Sequence, residues 1–125
     1  MNSQNHSLFQ SVKFAVNGIK IATRYNRNIR IHFLIAISVL ISCFVLEMKL
    51  VEIAVISMII LLVISAEMIN TAIEEVIDLI TKDYREEAKF AKDVSAGMVL
   101  IVAIGSIAIG LLIFTPYILR LFSLD

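Results

Sequence analysis

Glu67, Asn70, Glu74 and Asp78 stand in the stretch AEMINTAIEEVIDLI, residues 66–80. Their spacings of three, four and four keep them within about 80° of one another on a helix. Three acids and an amide therefore form one stripe, which continues a helix whose preceding segment, 50–66, is mostly apolar. Such a stripe needs a counter-charge, a metal or water. A carboxylate at membrane depth costs roughly 2.5–3.5 kcal/mol even on the mildest insertion scale. Glu67 directly follows the apolar run, so it is expected at or just inside an interface, with Glu74 and Asp78 roughly 10–16 Å further along at about 1.5 Å per residue. Depth separates the roles: the inner acid is suited to accept a proton, the outer acids to hold a hard cation such as Mg²⁺ beside phosphate.

The second half of such a site is expected from AKDVSAG, residues 91–97, at the start of the next apolar segment. Lys92 can neutralise phosphate charge while Asp93 orients it or joins a metal shell. The small residues Ala91, Ser95, Ala96 and Gly97 read as packing positions that let membrane helices approach closely. The chain holds neither a G-x-x-x-x-G-K loop nor a G-x-G-x-x-G loop, so a nucleotide site would have to be built from charge and metal. His6 and His32 are isolated, and Cys43 stands alone in an apolar run; all three read as packing or interface residues.

The elements that must carry these residues follow from hydropathy. The chain has 125 residues, is 59% hydrophobic and has a mean hydropathy of +0.90. A typical soluble domain is about 45–50% apolar, so this composition indicates a membrane protein with a single domain. Apolar segments at 32–48, 50–66 and 94–114 are expected as three transmembrane helices, giving an all-α integral membrane fold. Residues 47–50, EMKL, allow only a tight turn between the first two, and 80–93 form a polar connection that reads as a loop or a helix extension.

Residues 7–27 carry a further pattern. Leu8, Val12, Ala15, Val16, Ile19 and Ala22 share one helical face, with Lys13, Lys20, Arg24 and Arg27 opposite, which is the pattern of an amphipathic helix on a membrane interface. Basic residues cluster before the first span and in the 80–93 connection, against Lys49 and Arg120 elsewhere. The positive-inside rule places the N-terminus and that connection in the cytoplasm. Tyr25, Tyr84 and Tyr117 fall near the expected boundaries, as aromatic belt residues do. A cleaved signal peptide is not expected, because the first thirty or so residues are polar. Eleven basic and eleven acidic side chains cancel, and no nucleic-acid partner is expected.

AEMINTAIEEVIDL together with AKDVSAG resembles the signature of the prokaryotic diacylglycerol kinase family, which includes the undecaprenol kinases. The upstream SVKFAVNGIKIATRYNRNIRIH is similar to that family's N-terminal segment, so the resemblance covers almost the whole chain. It implies a small homotrimeric membrane enzyme with a surface helix and three spanning helices, transferring the γ-phosphate of MgATP to a lipid hydroxyl. Position by position it makes Glu67 the catalytic base with Asn70 beside it. Glu74 becomes a metal ligand, Lys92 and Asp93 become nucleotide contacts, and Asp83 and Arg85 lie near the nucleotide. The variants RNIRIH and NTAIEE are more similar to undecaprenol kinases than to diacylglycerol kinases, which implies undecaprenol as the membrane acceptor, with diacylglycerol next. One position departs: where the family usually carries a glutamate that is its second metal ligand, this chain has Asn26. An asparagine carbonyl can coordinate Mg²⁺ but brings no charge. Two other readings of the residues stay open, a catalytically silent membrane partner and a small proton-coupled transporter.

Overall fold

The computed structural model describes residues 7–122, so His6 lies outside it. Four helices follow one another: α1 (Leu8–Tyr25), α2 (Arg27–Val45), α3 (Leu50–Ile80) and α4 (Glu86–Phe122). Among the described residues there is no strand. Helices α2, α3 and α4 are each long and apolar enough to cross a bilayer, with mean hydropathies of 2.0, 2.4 and 2.7 over their most apolar windows. At about 1.5 Å per residue, the 31 residues of α3 span roughly 46 Å and the 37 of α4 roughly 55 Å, well beyond a hydrocarbon core of about 30 Å. The excess is the polar part of each helix, so the stripe and AKDVSAG stand on rigid extensions of membrane spans.

Local chemistry fixes the helix ends. Ser7 caps α1: its Oγ accepts from Gln10 N while Gln10 Oε1 accepts from Ser7 N, a reciprocal capping box. Asn26 closes one helix and opens the next. Its N–H donates to Ala22 O at 2.9 Å, and its Oδ1 accepts from Asn28 N at 2.7 Å and Ile29 N at 3.4 Å. The cap satisfies amides that the first turn of α2 would otherwise leave unpaired. This is why α2 starts at Arg27, five residues before the apolar segment expected from 32. At the other end α2 stops at Val45 rather than at 48. Glu47 takes φ of 50°, in the left-handed region, and Met48 N returns a bond to Cys43 O at 3.1 Å.

The α2–α3 turn is fastened to the far end of α4. Glu52 accepts from Lys49 N at 3.1 Å and from the Tyr117 hydroxyl, which also accepts from Lys49 N at 3.4 Å. Cys43, Met48 and Ile56 form the buried apolar cluster beneath, with Ile113, Phe114 and Tyr117 packed against it. Cys43 is thus a packing residue, as its surroundings in the sequence indicated. The connection expected over 80–93 is shorter than that: residues 81–85 separate α3 from α4, and the remainder is the first two turns of α4. Most contacts run between neighbours in the chain, α1 with α2, α2 with α3 and α3 with α4. Helix α1 buries none of its own residues, leaving Leu8, Phe9, Val12 and Phe14 exposed.

Candidate active site

The buried polar side chains among the described residues are Glu67, Asn70 and Ser95, at 3%, 7% and 4% exposure. Two come from the stripe and one from AKDVSAG, so the two stretches do meet. Ser95 Oγ lies 2.6 Å from Asn70 Oδ1, and Asn70 Nδ2 donates to Glu74 Oε1 at 3.0 Å. One turn beyond, Lys92 Nζ pairs with Asp78 Oδ1 at 2.6 Å. The side chains of this pair are 37% and 45% exposed, so solvent screening keeps its contribution small. Asp78 lies a dozen residues past the apolar segment, outside the span, and the Lys92 ammonium holds its carboxyl below the usual carboxylate range.

Glu67 differs from its neighbours. Its Oε1 is fully buried and meets no hydrogen-bond partner. An unpaired buried carboxylate oxygen is expensive, and such a group in a native structure calls for an explanation in strain, catalysis or a bound water or ion. The backbone around it is held instead. Asn26 Nδ2 donates to Thr71 Oγ1 at 2.6 Å, and Thr71 Oγ1 donates to Glu67 O at 2.9 Å. The α1–α2 elbow is thereby latched to α3 one turn past Glu67.

Two hollows flank this polar layer. One, of about 380 Å³, lies between the end of α3 and the start of α4, and its wall carries four cations, Lys82, Arg85, Lys89 and Lys92. Asp78, Asp83 and Asp93 stand among them. The other, of about 390 Å³, is an apolar groove between α2, α3 and α4 that runs from His32 and Ile64 past Ala36 and Ile60 to Gly110 and Phe114. Ile64 precedes Glu67 by less than one turn, about 4.5 Å along the axis. The oily groove ends less than one turn before this buried carboxylate, and the charged hollow opens at Ile77, about 15 Å beyond it along α3.

The candidate site residues fall in this layout as follows. Asn70 is bonded to Glu74 on α3, with Glu67 one turn before Asn70; Asp83, Arg85, Lys92 and Asp93 line the charged hollow; His32 lines the groove. Asn26 stands at the elbow with Oδ1 capping α2 and Nδ2 bonded to Thr71. Gly97 is not at a close helix approach, because a Cβ there would meet nothing within 4 Å. Among the described residues no three His, Cys, Asp or Glu side chains converge as a metal cage. Mg²⁺ needs no such cage, since it commonly takes one or two carboxylates and completes its shell with phosphates and water. Glu74 fits that requirement, with one oxygen held by Asn70 and Oε2 accepting nothing from the described residues. Sequence reasoning missed Thr71, Lys82, Lys89 and the Ser95 hydroxyl. For Lys82 and Lys89, the cationic spacing around 82–92 was the available signal.

Known proteins of similar sequence point to one family. Residues 13–114 match the family model described as prokaryotic diacylglycerol kinase. The chain is 40% identical over 121 residues to an undecaprenol kinase of Bacillus subtilis, covering 93% of this chain and 98% of that one. It is 35% identical over 116 residues to a diacylglycerol kinase of Synechocystis, covering 92% of this chain and 66% of the other.

Proposed function

We propose a specific chemistry for this chain, which belongs to the prokaryotic diacylglycerol kinase family and is a membrane lipid kinase: transfer of the γ-phosphate of MgATP to the hydroxyl of undecaprenol, with diacylglycerol as the next candidate acceptor. The observation that carries the reading is the buried Glu67 carboxylate with its unpartnered Oε1, set between an apolar groove and a cationic hollow. A lipid alcohol in the groove would bring its O–H to the one buried side-chain acceptor among the described residues that lacks a donor. Glu67 takes that proton as the oxygen attacks the γ-phosphorus in line, and ADP departs with the bond to its β-phosphate oxygen broken.

The other residues position and neutralise. Lys92, Arg85, Lys82 and Lys89 supply positive charge for a triphosphate, with Asp83 and Asp93 limiting how it can lie. Mg²⁺ held by Glu74 would offset charge on the phosphates. Asn26 has its oxygen engaged at a helix cap, so Glu74 carries the protein side of the metal shell. Helix α1 lies on the cytoplasmic interface with its cations near anionic headgroups, and the N-terminus and the reacting groups share the cytoplasmic face. The homotrimer implied by the family resemblance belongs to the same proposal, and chemical cross-linking in detergent tests it.

Purified protein in mixed micelles, given radiolabelled ATP and either undecaprenol or diacylglycerol with and without Mg²⁺, tests the chemistry. Label is expected in the lipid phase, metal-dependent and faster with undecaprenol. Equal or faster labelling of diacylglycerol would overturn the acceptor assignment, and no labelling of either lipid would overturn the reaction.

A further inference from the structure

Ser95 belongs to a run of small residues whose ordinary role is close packing, yet its hydroxyl is committed. It sits 2.6 Å from Asn70 Oδ1 and 2.9 Å from Lys92 O, inside a layer where Ser95 and Asn70 are both nine-tenths buried or more. A serine hydroxyl has one proton. The Lys92 carbonyl lies within helix α4, where the backbone ladder already supplies it a donor, whereas Asn70 Oδ1 has Ser95 as its donor among the described residues. The proton therefore goes to Asn70.

That proton and the Glu74 carboxylate together decide which way the Asn70 amide faces. With Oδ1 toward Ser95, Nδ2 faces Glu74 Oε1 at 3.0 Å and donates to it. With the amide turned over, Nδ2 would donate to Ser95 Oγ and the Ser95 proton would swing to Lys92 O. The amide oxygen would then face the Glu74 carboxylate, placing two acceptors in contact in a partly buried site. We infer that Ser95 is a positioning residue: it anchors the oxygen end of the Asn70 amide whose nitrogen holds Glu74 Oε1, so that Glu74 presents Oε2 to the metal–nucleotide. This rests on the proposed assignment of Glu74 to the metal. It adds that α4 sets the aim of a carboxylate on α3 through one buried hydroxyl, in a stretch whose lysine and aspartate line the charged hollow.

The substitution Ser95→Ala removes the hydroxyl and leaves packing nearly intact. In the micelle assay with ATP and undecaprenol, the Mg²⁺ concentration for half-maximal rate is expected to rise about five- to tenfold, the equivalent of one hydrogen bond of ordinary strength. The maximal rate at saturating Mg²⁺ is expected to change less than about twofold, because Glu67 is untouched. Ser95→Thr keeps the hydroxyl and should restore the Mg²⁺ requirement to within about twofold of the parent. An unchanged Mg²⁺ requirement in Ser95→Ala, or a loss confined to the maximal rate, would overturn the inference. So would a Ser95→Thr protein that melts like the parent but keeps the Ser95→Ala defect.

A second readout separates this inference from the metal assignment beneath it. The side-chain amide protons of Asn70, followed by NMR in the full chain, should shift and exchange faster in Ser95→Ala whatever Glu74 binds. If Glu74→Gln leaves the Mg²⁺ requirement unchanged, the metal assignment fails, and the Asn70 signals then decide the positioning claim alone. Unmoved Asn70 signals in Ser95→Ala would end it.

Discussion

Replacing Glu67 by Gln changes one atom of a side chain that is 3% exposed, and this makes the catalytic reading sharply testable. The amide has the size of the carboxylate, so the packing of α3 is preserved. The latch through Thr71 uses the Glu67 backbone carbonyl and is untouched. Burying an ionised carboxylate with an unpartnered oxygen costs more than burying a neutral amide, so the variant should unfold at the same temperature as the parent or higher. Activity should move the other way. A positioned general base is worth about 10²–10⁴-fold in rate, which corresponds to roughly 2.7–5.4 kcal/mol of transition-state stabilisation. The assay is initial-rate phosphorylation of undecaprenol by radiolabelled ATP in mixed micelles, with thermal unfolding measured on the same preparations. A fall of at least about 10²-fold in maximal rate with unfolding temperature unchanged or raised is the expected pair. Turnover within tenfold of the parent would remove Glu67 as the base, and a loss of rate that tracks a loss of fold would refute the argument from burial.

Other substitutions probe the surroundings. Asn26→Glu adds a carboxylate beside the site and is expected to lower the Mg²⁺ concentration needed for half-maximal rate; an unchanged requirement would show that residue 26 does not reach the metal. Thr71→Val strips the Asn26 amide of its acceptor and is expected to lower unfolding stability by about 0.6–1.5 kcal/mol in a denaturant titration. Asn26→Ala should cost more, since it loses the latch and also a helix cap worth roughly 0.5–2 kcal/mol, and equal losses in the two variants would contradict the double role of Asn26. Because Lys92 holds the Asp78 carboxyl below its usual range, folding favours the ionised acid. Its contribution to stability is complete above about pH 4, the unperturbed carboxylate value, and is lost as pH falls through the lower folded-state value. Melting curves of the parent and of Asp78→Asn should therefore differ at neutral pH and converge in acid; a gap that persists there would point to a different origin.

What the sequence discloses and what it withholds divide along a physical line. The period of 3.6 residues is a property of one helix, so the alignment of Glu67, Asn70, Glu74 and Asp78 on a shared face could be read from spacing alone. Hydropathy is equally local, and it marked three spans before any contact was known. The rotation of one helix about its axis relative to the next is set by packing between helices, and no spacing within either reports it. Ser95 shows the difference: its small size predicted proximity to another helix, while only the phase of α4 against α3 turns its hydroxyl onto Asn70. The Asp78–Lys92 pair likewise joins residues on two helices. Asn26 is a different case, since an asparagine before RNIRIH carries the ordinary signal of a helix cap. Attention to what the position lacked, a carboxylate, hid what the side chain supplies there: the junction of two helices and a donor to Thr71. A polar residue at a helix boundary thus has to be tested first against the backbone amides within its reach and only then against a ligand, because the cap forms whether or not a ligand arrives.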